Sequence, residues 1–172
     1  MARTDLSAFS CSIARTLGIL DDTWSPLILR DAYLGLTRFD DLQRDLGVAR
    51  NVLTERLERL VAHGLLERRP YQQRQPRYDY LLTGKGLDLM PALMALMAWG
   101  DRWTAQDEGP PALLVHRRCG EPTVPTVCCS SCGAPLAADE VAVRPGPGAR
   151  RRPGTLVLAE RAGLSPPPAD EP

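Results

Sequence analysis

Apolar residues recur at helical spacing through the first 65 positions of the chain. Ile13, Leu17 and Leu20 fall at i, i+4 and i+7, which predicts a helix over 12–20. Asp21, Asp22 and Thr23 follow as cap residues for a second helix, Trp24 to Leu34. Pro26 stands in its first turn, where a missing N–H costs nothing, and Gly35 lies beyond its end. Thr37 is the expected cap of a short third helix over 39–46, with Leu42 and Leu46 turned inward and Gly47 as its stop. After three residues Leu53, Leu57, Leu60 and Val61 make the apolar stripe of a fourth helix, which Gly64 ends. The period then switches to two. Residues 66–71 and 77–82 read as short strands, joined by the polar loop Gln72-Gln73-Arg74-Gln75-Pro76. Thr83 is the expected cap of a long last helix, Gly84 to Trp103, and Pro91 predicts a kink or break near Leu87.

This is a mainly α chain with a small β-hairpin, and its element order is that of a winged helix-turn-helix domain. Charge sharpens the picture only locally. The formal net charge is zero, and 20 of the 21 basic residues are Arg, so no global field favours nucleic acid. Residues 44–85, however, hold eight Arg and Lys85 against five acids, a net of +4 on the fourth helix and the hairpin. On that helix Arg50, Asn51, Thr54, Glu55 and Arg59 lie away from the leucine stripe. Arg can fork onto guanine, Asn onto adenine, and Glu can accept from cytosine. Gln73, Arg74 and Arg77 at the hairpin tip are long donors suited to phosphates or a minor groove. These eight residues are the candidate contacts to double-stranded DNA. The apolar residues of the last helix, including Met90, Met94, Met97, Trp99 and Trp103, cover more than one face. A domain this small buries only one, so a second subunit is expected to cover the rest. The same methionine stripe also suits the wall of a small-ligand pocket.

The stretches Cys11-Ser12-Ile13-Ala14-Arg15, Asp22-Thr23-Trp24-Ser25-Pro26-Leu27, Arg38-Phe39-Asp40-Asp41-Leu42, Asn51-Val52-Leu53-Thr54-Glu55-Arg56-Leu57, Tyr78-Asp79-Tyr80-Leu81-Leu82-Thr83-Gly84 and Trp99-Gly100-Asp101-Arg102-Trp103 carry a resemblance. Together they make Cys11 to Trp103 similar to the HxlR-type bacterial winged helix regulators, relatives of the MarR type. The resemblance implies a homodimeric DNA-binding transcription regulator, here expected as a repressor. Residues 50–63 would read the major groove, with 71–77 as the wing on the flanking backbone. A small-molecule or redox effector is the further partner it implies. Several relatives sense oxidants through a cysteine near the first helix, which makes Cys11 the redox-sensing candidate; packing at a subunit interface is the alternative. One departure stands out. Relatives enter the fourth helix through Ser-Pro, and this chain has Ala49-Arg50, losing a capping hydroxyl worth about 1 kcal/mol.

Composition changes beyond residue 109, where 12 of the 16 Pro and four of the five Cys lie. His116-Arg117-Arg118-Cys119-Gly120 and Cys129-Ser130-Ser131-Cys132-Gly133 are two H/C-x-x-C-G turns, nine residues apart. Two residues between ligands let one tight turn aim both at a single ion, so His116, Cys119, Cys129 and Cys132 match a structural Zn2+ site in a ribbon-like appendage, with Cys128 as an alternative fourth ligand. A metal-free cysteine cluster and a Cys119–Cys129-type disulfide are the competing readings. The expected organisation is a winged domain over 11–108, the appendage over 110–143 and a disordered Pro/Gly/Arg-rich tail over 144–172.

No Ser/His/Asp set, paired-carboxylate motif or phosphate-cradling loop is present, and four protein ligands leave zinc no open position, so no enzymatic activity is expected. A thiol- or metal-based redox protein and a protein-docking adaptor are the alternative classes. The longest apolar stretch is about half of what spans a bilayer. The N-terminus has no secretory core. The expectation is therefore a cytoplasmic bacterial protein at the nucleoid.

Overall fold

The computed structural model describes residues 5–20, 22–72, 77–105 and 109–163. Four helices come first: α1 (Ser12–Leu20), α2 (Trp24–Tyr33), α3 (Phe39–Leu46) and α4 (Arg50–Ala62). The hairpin β1 (Leu66–Gln72) and β2 (Arg77–Leu82) follows, then the long α5 (Gly84–Thr104). Among the described residues no helix is long and apolar enough to cross a membrane.

Leucine spacing builds the core. Ile28 and Leu29 of α2, Leu42 of α3, and Leu53, Leu57 and Leu60 of α4 are fully buried together, closed below by Val48, Leu65 and Leu66. Helix ends follow from side-chain chemistry. One carboxylate oxygen of Asp22 accepts from the backbone N–H groups of Trp24 and Ser25, both at 2.8 Å, and so starts α2. Its other oxygen pairs with the Arg56 guanidinium on α4, and both side chains are largely buried. Gly47 takes a left-handed conformation (φ +62°) that stops α3 and turns the chain into α4.

Thr37 departs from expectation. Arg38 occupies the N-cap position of α3, with no side-chain cap, while the Thr37 hydroxyl donates to Asp79 on β2 at 2.9 Å. The reason is a third, minimal strand. Arg38 pairs antiparallel with Asp79, and the Tyr80 N–H donates to the Thr37 carbonyl at 2.7 Å. The hairpin is in antiparallel register from Leu66↔Leu82 to Pro70↔Tyr78, then slips so that Gln72 faces Arg77 and Tyr71 bulges out.

Thr83 does cap α5: its hydroxyl accepts from the Gly86 N–H at 3.1 Å and donates to the Gly64 carbonyl at 2.6 Å. Lys85 donates to the His63 carbonyl at 2.8 Å and so places a cation at the C-terminal end of α4. Of the kink or break expected near Leu87, there is no break: α5 runs as one helix through Pro91. The carbonyl that Pro91 releases belongs to Leu87, which is half exposed and can turn to water.

Beyond α5, β3 (Leu114–Val115) and β4 (Pro122–Thr123) form a second small hairpin, and a 3-10 turn spans Ala138–Glu140. The tail, expected without structure, carries a short helix α6 (Leu156–Arg161) with Ala159 buried. It also returns to the N-terminal segment, where the Arg150 N–H donates to Ser10 Oγ.

Two predictions follow from this packing. A Cβ on Gly86 would stand 2.3 Å from the Leu65 carbonyl oxygen and 2.9 Å from Leu82 Cδ2. Gly86→Ala should therefore lower stability by about 2–3 kcal/mol, read from urea unfolding midpoints. Asp31 is buried beside Arg30 (2.6 Å), and burial pushes its carboxyl above the usual range despite that partner. A raised folded-state pKa means the folded chain binds the proton first, so this group adds stability as pH falls through that pKa, levelling off near the unfolded value of about 4. Relative to Asp31→Asn, the wild-type chain should gain stability between pH 7 and 4; equal pH dependence of the two would contradict the burial effect.

Candidate nucleic-acid interface

All the predicted contact residues of α4 except Arg59 sit at its exposed N-terminal half. Arg50 opens the helix, lies 4.0 Å from Asp40 and stacks on the Phe39 ring at 4.7 Å. Asn51 and Thr54 are exposed, the Thr54 hydroxyl donating back to the Arg50 carbonyl at 2.9 Å. Glu55 is exposed and pairs with Arg56 at 2.7 Å, whereas Arg59 is half-buried. Ala49 is the N-cap and supplies no side-chain bond, so the first N–H groups of α4 receive nothing from it. Arg77 opens β2 and is exposed. Gln73 and Arg74 lie outside the described residues.

Between the N-terminal ends of α3 and α4 and the hairpin lies an open groove of about 510 Å³. Three of the residues lining it are Arg38, Arg50 and Arg77, and its aromatic wall is Phe39, Tyr71, Tyr78 and Tyr80. Arg38 lies over the Tyr71 ring at 4.7 Å, reaching it because residues 37–38 pair with β2. Arg68 lies on Tyr78 at 4.6 Å on the same hairpin. Stacking fixes the direction of a guanidinium group and leaves its in-plane N–H groups able to bond; here Asp79 faces Arg38 at 3.8 Å and Asp40 faces Arg50 at 4.0 Å. Asp40 and Asp41 line the same groove and temper its charge. Arg38, Tyr71 and Tyr78 were not among the residues picked out by charge and periodicity. Arg38 sits outside the most basic segment, and only the strand-like pairing at 37–38 carries it to the hairpin.

The remaining candidates lie elsewhere. Cys11 precedes α1 and is half-buried, its carbonyl accepting from the Arg15 N–H at 3.0 Å. In the appendage, His116 Nδ1 is 3.2 Å from Cys119 Sγ. The N–H groups of Cys132 and Ser131, directed at the Cys129 sulfur, hold its thiol below the ordinary range. Among the described residues, no three His, Cys, Asp or Glu side chains are gathered around a point where one ion could sit.

Comparisons with known proteins agree with the helix-turn-helix geometry. A family model described as HxlR-like helix-turn-helix matches residues 19–108. An uncharacterised HTH-type transcriptional regulator of Mycobacterium tuberculosis is 43% identical over 137 residues, 80% of this chain and 87% of that protein. The crystal structure of PA1607, provisionally assigned as a transcription factor, is 38% identical with a TM-score of 0.74, covering 83% of this chain and 100% of its own. A second such provisional transcription factor, PA1374 from Pseudomonas aeruginosa, is 44% identical with a TM-score of 0.57, covering 81% of this chain and 94% of its own. With its helix-turn-helix core matched over more than half its length, the chain belongs to the HxlR-like helix-turn-helix family, whose members are DNA-binding transcriptional regulators.

Proposed function

We propose that the chain works as a homodimeric repressor in the cytoplasm, each subunit placing α4 in a major groove and the hairpin on the flanking backbone. The observation that carries this is the groove, where Arg38 and Arg50 are pre-aimed by aromatic rings beside the exposed Asn51 and Thr54. Phosphate contacts by Arg38 and Arg77 set the register, and Arg50 and Asn51 read base edges. The uncapped N–H groups of α4 add a site for one more phosphate oxygen.

Dimerisation in this reading uses apolar surface that the single chain leaves uncovered. Leu96, Trp99 and Trp103 on α5 are 58–65% exposed, and Ile13 and Leu17 on α1 are 72% and 55% exposed. Large apolar residues at this density mark an interaction surface. Two-fold symmetry then requires a palindromic site with half-sites about 34 Å apart, one helical turn, or a multiple of it. Repression follows from occupancy of that site. An effector acts by changing the distance between the two copies of α4.

The test is selection of bound sequences from a random duplex library, then affinity against salt for the enriched site. A palindrome should be enriched. Arg38→Ala and Arg77→Ala should each flatten the log K against log salt slope by about one unit while leaving the preferred sequence unchanged. Arg50→Ala should relax preference at one base pair in each half-site and cost about 1–3 kcal/mol there. No enriched sequence, or slopes indifferent to all three changes, would reject the reading.

A further inference from the structure

Residues 109–143 contain no buried side chain, yet they form two hairpins built alike. In the first, β3 pairs with β4, Leu114↔Thr123 and Val115↔Pro122. In the second, the Leu136 N–H donates to the Val127 carbonyl at 2.9 Å and the Cys129 N–H to the Ala134 carbonyl at 2.8 Å. The tips are near copies. The Gly120 N–H donates to the His116 carbonyl and the Gly133 N–H to the Cys129 carbonyl, both at 2.8 Å. Gly120 and Gly133 have φ of +77° and +76°, a conformation that glycine adopts without strain. His116 and Cys119 therefore occupy the same two turn positions as Cys129 and Cys132. An ordinary loop has no need to repeat an H/C-x-x-C-G turn with the same backbone and the same ligand chemistry.

The first tip already has half of a coordination shell. With Zn–N about 2.0 Å and Zn–S about 2.3 Å, two ligands of a tetrahedral site stand about 3.5 Å apart. His116 Nδ1 and Cys119 Sγ, at 3.2 Å, are within a few tenths of that edge. Cys128 belongs to the other face of its strand: it bridges to Pro135 and its sulfur lies 3.8 Å from the Thr126 carbonyl.

We propose that the two turns bind one zinc ion per chain through His116, Cys119, Cys129 and Cys132, the hairpins closing on the ion. The two pairs stand as separate half-sites, with no three ligands gathered among the described residues. Only Val124, Pro125 and Thr126 separate β4 from the second hairpin, so the second pair meets an ion held by the first at high effective concentration. Three thiol protons pass to solvent as the thiolates bind. Closure supplies the stability that a segment without buried side chains lacks, which makes the ion structural and leaves it no position for a substrate. This inference is independent of the DNA-binding reading.

The experiment uses the full chain purified without affinity tag or chelator, with metal analysis, native mass spectrometry and thiol titration. One zinc per chain is expected, with three thiols that react only after a chelator is added. Replacing zinc by Co2+ should give the visible bands of a tetrahedral site with sulfur ligands. Cys129→Ser and Cys132→Ser should each lower zinc affinity at least 100-fold. His116→Cys should keep the metal and shift the cobalt bands, which separates ligation from simple misfolding. Circular dichroism of the serine variants should retain the helical signal of the winged domain. Five thiols reactive without chelator, a Cys129–Cys132 disulfide, half a zinc per chain shared between two copies, or undiminished affinity in both serine variants would each overturn the proposal.

Discussion

The corner at Thr83 is the constraint on which the other elements depend. Four elements meet there: the end of α4, the start of β1, the end of β2 and the start of α5. One hydroxyl serves two of them, accepting from Gly86 and donating to Gly64, while the Thr83 N–H reaches the Leu65 carbonyl. Gly86 lets α5 approach that carbonyl closely, and Lys85 closes the last turn of α4. Without this junction, the hairpin and α5 would be joined to α4 by chain alone. With it, their relative directions are set within one hydrogen-bond length.

A second junction fixes the opposite side of α4. Asp22 divides its two oxygens between the first turn of α2 and Arg56, so the capping of one helix and the seating of another rest on one carboxylate. The arrangement is economical because each buried charge meets a partner, as low-dielectric surroundings require. On the outer face of α4, Asn51 and Thr54 remain exposed. The third and smallest junction, at 37–38, seats the hairpin on α3 and swings Arg38 over Tyr71.

Much of this was legible in the chain. The glycines at 35, 47 and 64 all adopt positive φ and mark helix ends where periodicity lapses, and the leucine stripe of α4 with Leu42 of α3 names part of the core they form. Misreadings came where one residue has two uses. Thr37 is a good cap by type, but its hydroxyl has a closer long-range acceptor in Asp79, which no local rule anticipates. At Pro91 the helix continues unbroken, with Leu87, whose carbonyl the proline frees, half exposed. Arg38 was invisible as a site residue because its role depends on pairing across some forty positions of chain. In the appendage the repeated turn was plain from spacing, but only the backbone distinguishes Cys129 from Cys128, since neighbours in a strand face opposite ways.

The stiffness of the Thr83 corner has a mechanical consequence. Helix α5 is 21 residues long, which makes it an arm of about 30 Å. Its exposed tryptophans, Trp99 and Trp103, lie near the far end of that arm, while its near end is bonded to α4. A tilt of about 5° at the tip, a displacement of under 3 Å along an arm of this length, rotates the corner by the same angle. In the dimer proposed above, a corner that transmits rotation would let whatever seats those two indole rings also set the angle at which α4 is presented.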